Sequence, residues 1–122
     1  MGTLLYDRSV AYDQCIDELN LSRPTFIEAV HRDYVAAGAE LIETNTFGAN
    51  AVRLSSHGLE DKVRLIARQG VKIARAAREI VGMSAYVAGS IGPLGKPLEP
   101  FGQVSLADAE QWFGPVAEGL LE

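Results

Sequence analysis

Two short apolar runs, residues 39–46 and 85–90, flank a long helical pattern, and this spacing constrains the fold more than any other feature of the chain. Both runs are too short for helices. The first places Leu41 beside Ile42 and the second is bounded by glycine, as expected of parallel-sheet strands covered on both faces. A helix between two strands returns the chain in its original direction, so the sequence predicts a βαβ unit with the usual right-handed crossover.

The helices around these runs carry their own start and stop signals. Over residues 22–38, Ser22 is the expected N-cap and Pro24 falls in the first turn. Phe26, Ile27, Val30 and Tyr34 form the apolar stripe, and Gly38 ends it. A short helical piece is expected near residues 50–56. After Gly58 comes a long amphipathic helix with Val63, Ile66, Ala67, Ile73, Ala74, Ala77 and Ile80 inward. Arg64, Arg68, Lys72, Arg75 and Arg78 are mostly on its solvated side, and Gly82 stops it. Residues 92–102 hold three prolines and three glycines, a loop long enough to be a candidate functional segment. A last helix opens at Ser105 with Asp108 three residues on. Its stripe is Leu106, Ala109, Phe113, Val116 and Leu120, and Pro115 is expected to bend it.

With 122 residues and 48% hydrophobic content, the chain can supply the core of one domain. The net charge of -5 comes from 16 acidic and 11 basic residues mixed along the sequence. That distribution argues against a nucleic-acid stripe or a polybasic membrane patch. No run approaches the roughly 20 apolar residues of a membrane span, and the first residues lack the order of a signal peptide, so a cytoplasmic location is expected. Cys15 is the only cysteine, which rules out an internal disulfide and a thiolate-rich zinc site made from this chain alone.

Candidate chemistry gathers where the strands end. Glu43-Thr44-Asn45-Thr46-Phe47-Gly48-Ala49-Asn50 follows the first apolar run, and small-molecule sites of α/β proteins form in loops at such strand ends. Asn45 and Thr46 can donate and accept hydrogen bonds to the charged groups of a ligand, or else brace their own loop. Phe47 is expected to pack beneath it. Ser90 and Gly92 mark the end of the second run as lining or close-approach positions, and no nucleophile elbow surrounds Ser90. His31 and His57 read as surface or capping residues, Cys15 as structural or incidental, and Glu43 as a possible buried acid without a visible partner.

The order Met1-Gly2-Thr3, Asp17-Glu18-Leu19-Asn20-Leu21-Ser22-Arg23-Pro24, His31-Arg32-Asp33-Tyr34, Gly38-Ala39, the 43–50 segment, His57-Gly58-Leu59-Glu60-Asp61-Lys62 and Gly89-Ser90-Ile91-Gly92-Pro93-Leu94-Gly95 resembles the homocysteine S-methyltransferase family. The wording of residues 15–20 is most similar to members fused to a methylenetetrahydrofolate reductase or standing at the front of cobalamin-dependent methionine synthase. The resemblance implies an α/β fold, the N-terminal portion of a (βα)8 TIM barrel over residues 1–122. This portion is truncated at both ends, with its first strand upstream of Met1; a small free-standing α/β sandwich is the alternative. It also implies methyl transfer to the zinc-bound thiolate of homocysteine, giving methionine. Three cysteines from later strands hold that zinc, and none is in this chain; the acid that holds the amino-acid end of homocysteine precedes Met1. The resemblance thus places Gly2 and Thr3 at the end of the first strand, where glycine lets backbone amides approach a ligand or the pair forms an ordinary strand-to-loop turn. It implies substrate contacts at Gly2, Thr3, Asn45, Thr46, Ser90 and Gly92, with no catalytic or metal residue here and an inactive chain when alone. The methyl donor, methylfolate through cobalamin or another, is unassigned. A non-catalytic binding module is the rival reading. Partners are homocysteine and the remainder of the barrel, with self-association expected from unpaired strand edges.

Overall fold

The computed structural model describes residues 1–122. In chain order its elements are α1 (Gly2–Asp7), α2 (Leu19–Ser22), α3 (Pro24–Ala36), β1 (Leu41–Glu43), α4 (Ala51–Ser55), α5 (Val63–Val81), β2 (Tyr86–Ala88) and α6 (Leu106–Leu121). β1 and β2 pair in parallel with Leu41 opposite Tyr86, Ile42 opposite Val87 and Glu43 opposite Ala88, which is the pairing expected of the βαβ pattern. Helix α5 supplies the crossover and packs against both α3 and α6.

The long helix follows its sequence pattern closely. Val63, Ile66, Ala67, Ile73, Ala74 and Ala77 are buried together with Gly70 and Val71, and Gly82 ends the helix in the left-handed conformation at φ 73°. Ile80 departs from the pattern at 60% exposure; in that last turn it is Val81 that packs inward, beside Ile42 and Ala85. Helix α6 lies close against α5. A Cβ on Gly119 would fall 2.6 Å from the Arg64 carbonyl oxygen and 2.8 Å from the Ala67 side chain, so this crossing needs glycine. Arg64 pairs with Glu118 and Glu122, and Arg68 also reaches Glu122, fixing the C-terminal turn over α5. These ion pairs are solvent-exposed and orient the helix more than they stabilise it.

Several expectations need correction. Gly2 and Thr3 are in helix α1, not at a strand end. Ser22 closes α2, where its Oγ donates to Glu18 Oε2 at 2.9 Å; the N-cap of α3 is Arg23, with Pro24 at the first helical position. The strands are shorter than the apolar runs, although main-chain pairing continues one residue past β1, from the Thr44 N–H to the Ala88 carbonyl at 2.9 Å. Only Ile42 of β1 is buried, with Leu41 and Glu43 exposed, so neither strand is covered on both faces and Glu43 is not a buried acid. Leu106 at the start of α6 is 73% exposed, and Pro115 is accommodated inside one continuous helix. Ser105 caps α6 as expected, its Oγ accepting the Asp108 N–H at 3.1 Å.

His31 is the clearest reversal, at 1% exposure on the inner face of α3. Burial, with a smaller effect from the Met1 ammonium, lowers its pKa to about 4, and its Nε2 has no hydrogen-bond partner. The folded pKa is thus below the ordinary 6.5, so the native state holds a neutral ring that the unfolded chain would protonate. Its stability is complete above pH 6.5 and falls as pH drops toward 4, by on the order of 2 kcal/mol. Denaturant midpoints measured between pH 7.5 and 4 should show this decline. His31→Gln should flatten it, and an unchanged slope would assign the acid sensitivity to other groups.

Candidate functional site

The segments leaving the C-terminal ends of β1 and β2 are tied together by side chains of the 43–50 run. Thr46 Oγ1 lies 2.6 Å from the Ser90 carbonyl oxygen, which can only accept, so the single Thr46 hydroxyl proton is used there. Thr44 must therefore donate across the 2.7 Å contact between the two hydroxyls, and Thr44 Oγ1 in turn accepts the Ser90 N–H at 3.0 Å. Both strand ends are held by one closed hydrogen-bond circuit. The Gly92 N–H extends it by donating to the Phe47 carbonyl at 3.0 Å.

Asn45 faces the other way. Its Nδ2 donates to the Ile16 carbonyl at 2.9 Å and to Asn20 Oδ1 at 3.1 Å, while Asn20 Nδ2 donates to the Asn45 carbonyl at 2.8 Å and to the Ile66 carbonyl at 3.2 Å. Asn20, fully buried on α2, thereby joins the loop after β1 to α5. Asp17 Oδ1 accepts the Gly48 N–H at 3.0 Å, and a Cβ on Gly48 would fall 2.6 Å from Asp17 Oδ2. Burial raises the Asp17 pKa, against the Gly48 amide and the charges of Arg53 and His57.

A cleft of about 800 Å³ opens beside these groups, lined by Gly2, Cys15, Asp17, Thr44, Asn45, Ser90 and Arg53 among others. Small-molecule pockets commonly measure 300–1,000 Å³. Of the residues expected to meet a ligand, Gly2, Asn45, Thr46 and Ser90 border the cleft. Thr46 is fully buried behind its surface, Thr3 is exposed outside it, and Gly92 lies behind Phe47. Phe47 is not beneath the loop but 57% exposed on it. His57 is exposed at the margin, as its sequence position suggested. Sequence reasoning gave no role to Asn20, Asp17 or Arg53. A buried asparagine directly after Leu19 was the available signal for the first, but its partners are 25 and 46 residues away.

Burial also raises the Cys15 pKa, so its thiol stays protonated at neutral pH and is a poor nucleophile. No three His, Cys, Asp or Glu side chains converge as a metal requires, and the one cysteine has no second thiol near it. The residues of this chain do not fit a zinc centre. Equilibrium dialysis against zinc at neutral pH should find no stoichiometric tight site, and one tight equivalent per chain would overturn this assignment.

A parallel βαβ unit with a cleft at its strand ends defines an α/β protein. The family model for homocysteine S-methyltransferase matches residues 1–122, and the chain belongs to that family. It is 34% identical to a methionine synthase of Mycobacterium tuberculosis (strain ATCC 25618 / H37Rv) and 35% identical to one of Mycobacterium leprae (strain TN). Both comparisons cover the whole chain and 11% of the relative. The fold is similar to the homocysteine methyltransferase MmuM from Escherichia coli, at TM-score 0.83 for its oxidized form and 0.82 for its metallated form. Each match has 26% identity and covers 99% of this chain and 47% of the other. The chain therefore spans about a tenth of the methionine synthases and about half of the solved structures, and its α/β fold resembles the N-terminal part of such a methyltransferase.

Proposed function

We propose that residues 1–122 form the first part of a homocysteine S-methyltransferase domain of (βα)8 form and supply one wall of its homocysteine site. The reaction would be attack by the homocysteine thiolate, its thiol proton released to solvent beforehand, on an activated methyl. The S–CH3 bond forms as the donor–CH3 bond breaks, the electron pair leaves with the donor, and methionine is the product. The observation that carries this reading is the cleft at the ends of two parallel strands, bordered by Asn45 and Ser90, in a chain of this family.

In this reading the chain binds and orients. Both Asn45 Nδ2 hydrogens are used within the protein, so its Oδ1 is the side-chain atom suited to accept from a substrate ammonium. Thr46 acts through the Ser90 carbonyl that it holds, and Gly92 through the position of Phe47. Gly2 offers backbone at the cleft edge, while Thr3 contributes through helix α1. The sulfur chemistry needs groups from outside this chain. In the complete protein, Asn45→Ala should weaken homocysteine binding, with thermal melts separating damage to the loop it braces from the lost substrate contact, whereas Arg68→Ala on the outer face of α5 should leave affinity within twofold. Calorimetric titration with L-homocysteine tests this, and no detectable binding to the complete protein would refute the reading.

A further inference from the structure

Arg53 is a cation at the cleft that the reading above does not use. It is on α4, where its N–H is accepted by Asn50 Oδ1 at 3.0 Å. Its Nε donates to the Pro93 carbonyl at 2.8 Å, and Asn50 Nδ2 reaches the same oxygen at 3.3 Å. The side chain thus runs from the loop after β1 to the loop after β2, with the guanidinium carbon 5.8 Å from the centre of the Phe47 ring. Gly95 lies close to the guanidinium, where an added Cβ would meet it in ordinary van der Waals contact at 3.8 Å.

This tether fixes one edge of the guanidinium and leaves the other free. The ion pairs of the chain use Arg8, Arg32, Arg64 and Arg68; Arg53 is in none of them. The nearby Asp17 has one carboxylate oxygen engaged by the Gly48 amide. Two η nitrogens beside an open cleft, with the fork held by Nε, match the two oxygens of a carboxylate. Such a group is better prepared than a free surface arginine, because part of its rotamer freedom is already lost.

We infer that Arg53 receives the α-carboxylate of the amino-acid substrate, an assignment that rests on the homocysteine reading above. Its competitor is a purely structural role, in which Nε staples the two loops and the η nitrogens only meet water.

The two roles separate with a pair of ligands. L-Homocysteine and 3-aminopropane-1-thiol share thiol and amine, but only the first has a carboxylate. In the complete protein, Arg53→Gln should weaken L-homocysteine roughly ten- to a hundredfold and leave 3-aminopropane-1-thiol within about twofold, with Arg53→Lys intermediate. Thermal melts of each variant show whether the loops remain folded, and Arg53→Lys serves if Arg53→Gln does not. Equal losses for both ligands, an unchanged homocysteine affinity, or an effect confined to the KM of the methyl donor would each overturn the assignment. If the unsubstituted protein binds neither ligand, the homocysteine reading fails first and this assignment fails with it.

Discussion

Asn20→Ala is expected to destabilise the chain by about 3–5 kcal/mol, because a main-chain and a side-chain group lose their partner in a place water does not reach. The Asn45 carbonyl and one Asn45 Nδ2 hydrogen are satisfied by this amide, and the Ile66 carbonyl, already paired within α5, takes a second bond from it. Leaving a buried donor or acceptor unpaired costs about 1–3 kcal/mol, and a small domain has only about 5–15 kcal/mol in total. Asn20→Asp should be nearly as damaging, since a carboxylate cannot donate to the two carbonyls. Urea denaturation compares the variants. A loss below 1 kcal/mol for Asn20→Ala would mean that water or a repacked side chain replaces the amide.

Gly92→Ala should cost about 3 kcal/mol for a different reason. A Cβ at this position would be 2.2 Å from the Phe47 carbonyl oxygen and 3.0 Å from two atoms of its ring. Both the Gly92 N–H to Phe47 carbonyl bond and the loop that carries Phe47 would have to move. Gly92 is not among the glycines with positive φ, so the requirement is for space and not for a left-handed backbone. Overpacking of this kind commonly costs 1–3 kcal/mol, and the lost hydrogen bond adds about 1 more. Gly38→Ala offers a contrast: at φ 105° it has no atom within 4 Å, so backbone strain alone should cost about 1 kcal/mol. Thermal melts that ranked the two alike would show that the Phe47 loop yields easily.

What the sequence made legible follows from local periodicity. The stripe of α5, its stop at Gly82, the Ser105 cap and the parallel pairing of β1 with β2 all depend on residues a few positions apart or on the length of one crossover. Asn45, Thr46 and Ser90 could be picked out because polar residues after an apolar run mark a strand end. Their partners could not. The Thr46 contact with Ser90 spans 44 residues and the Asn20 contact with Ile66 spans 46, and neither leaves a periodic trace. His31 was misread because an imidazole on an amphipathic helix fits either face, and only the packing of the neighbouring elements around α3 decides. Gly2 and Thr3 were misread because a short helix such as α1 has no full turn of apolar repeat to distinguish it from a strand end.

The hydroxyl circuit joining Thr44, Thr46 and Ser90 is closed entirely within one βαβ unit. Its geometry is therefore set when that unit folds, before any ligand arrives. A molecule entering the cleft meets a wall whose torsional freedom has already been surrendered, so its affinity is not reduced by having to order these loops. The Ser90 amide reports on this directly. Hidden between two strand ends, it should exchange with deuterium only through openings that also break the sheet, whether or not homocysteine is present. Any adaptation of the site to different ligands would then fall to side chains outside the circuit, such as the exposed Phe47 ring.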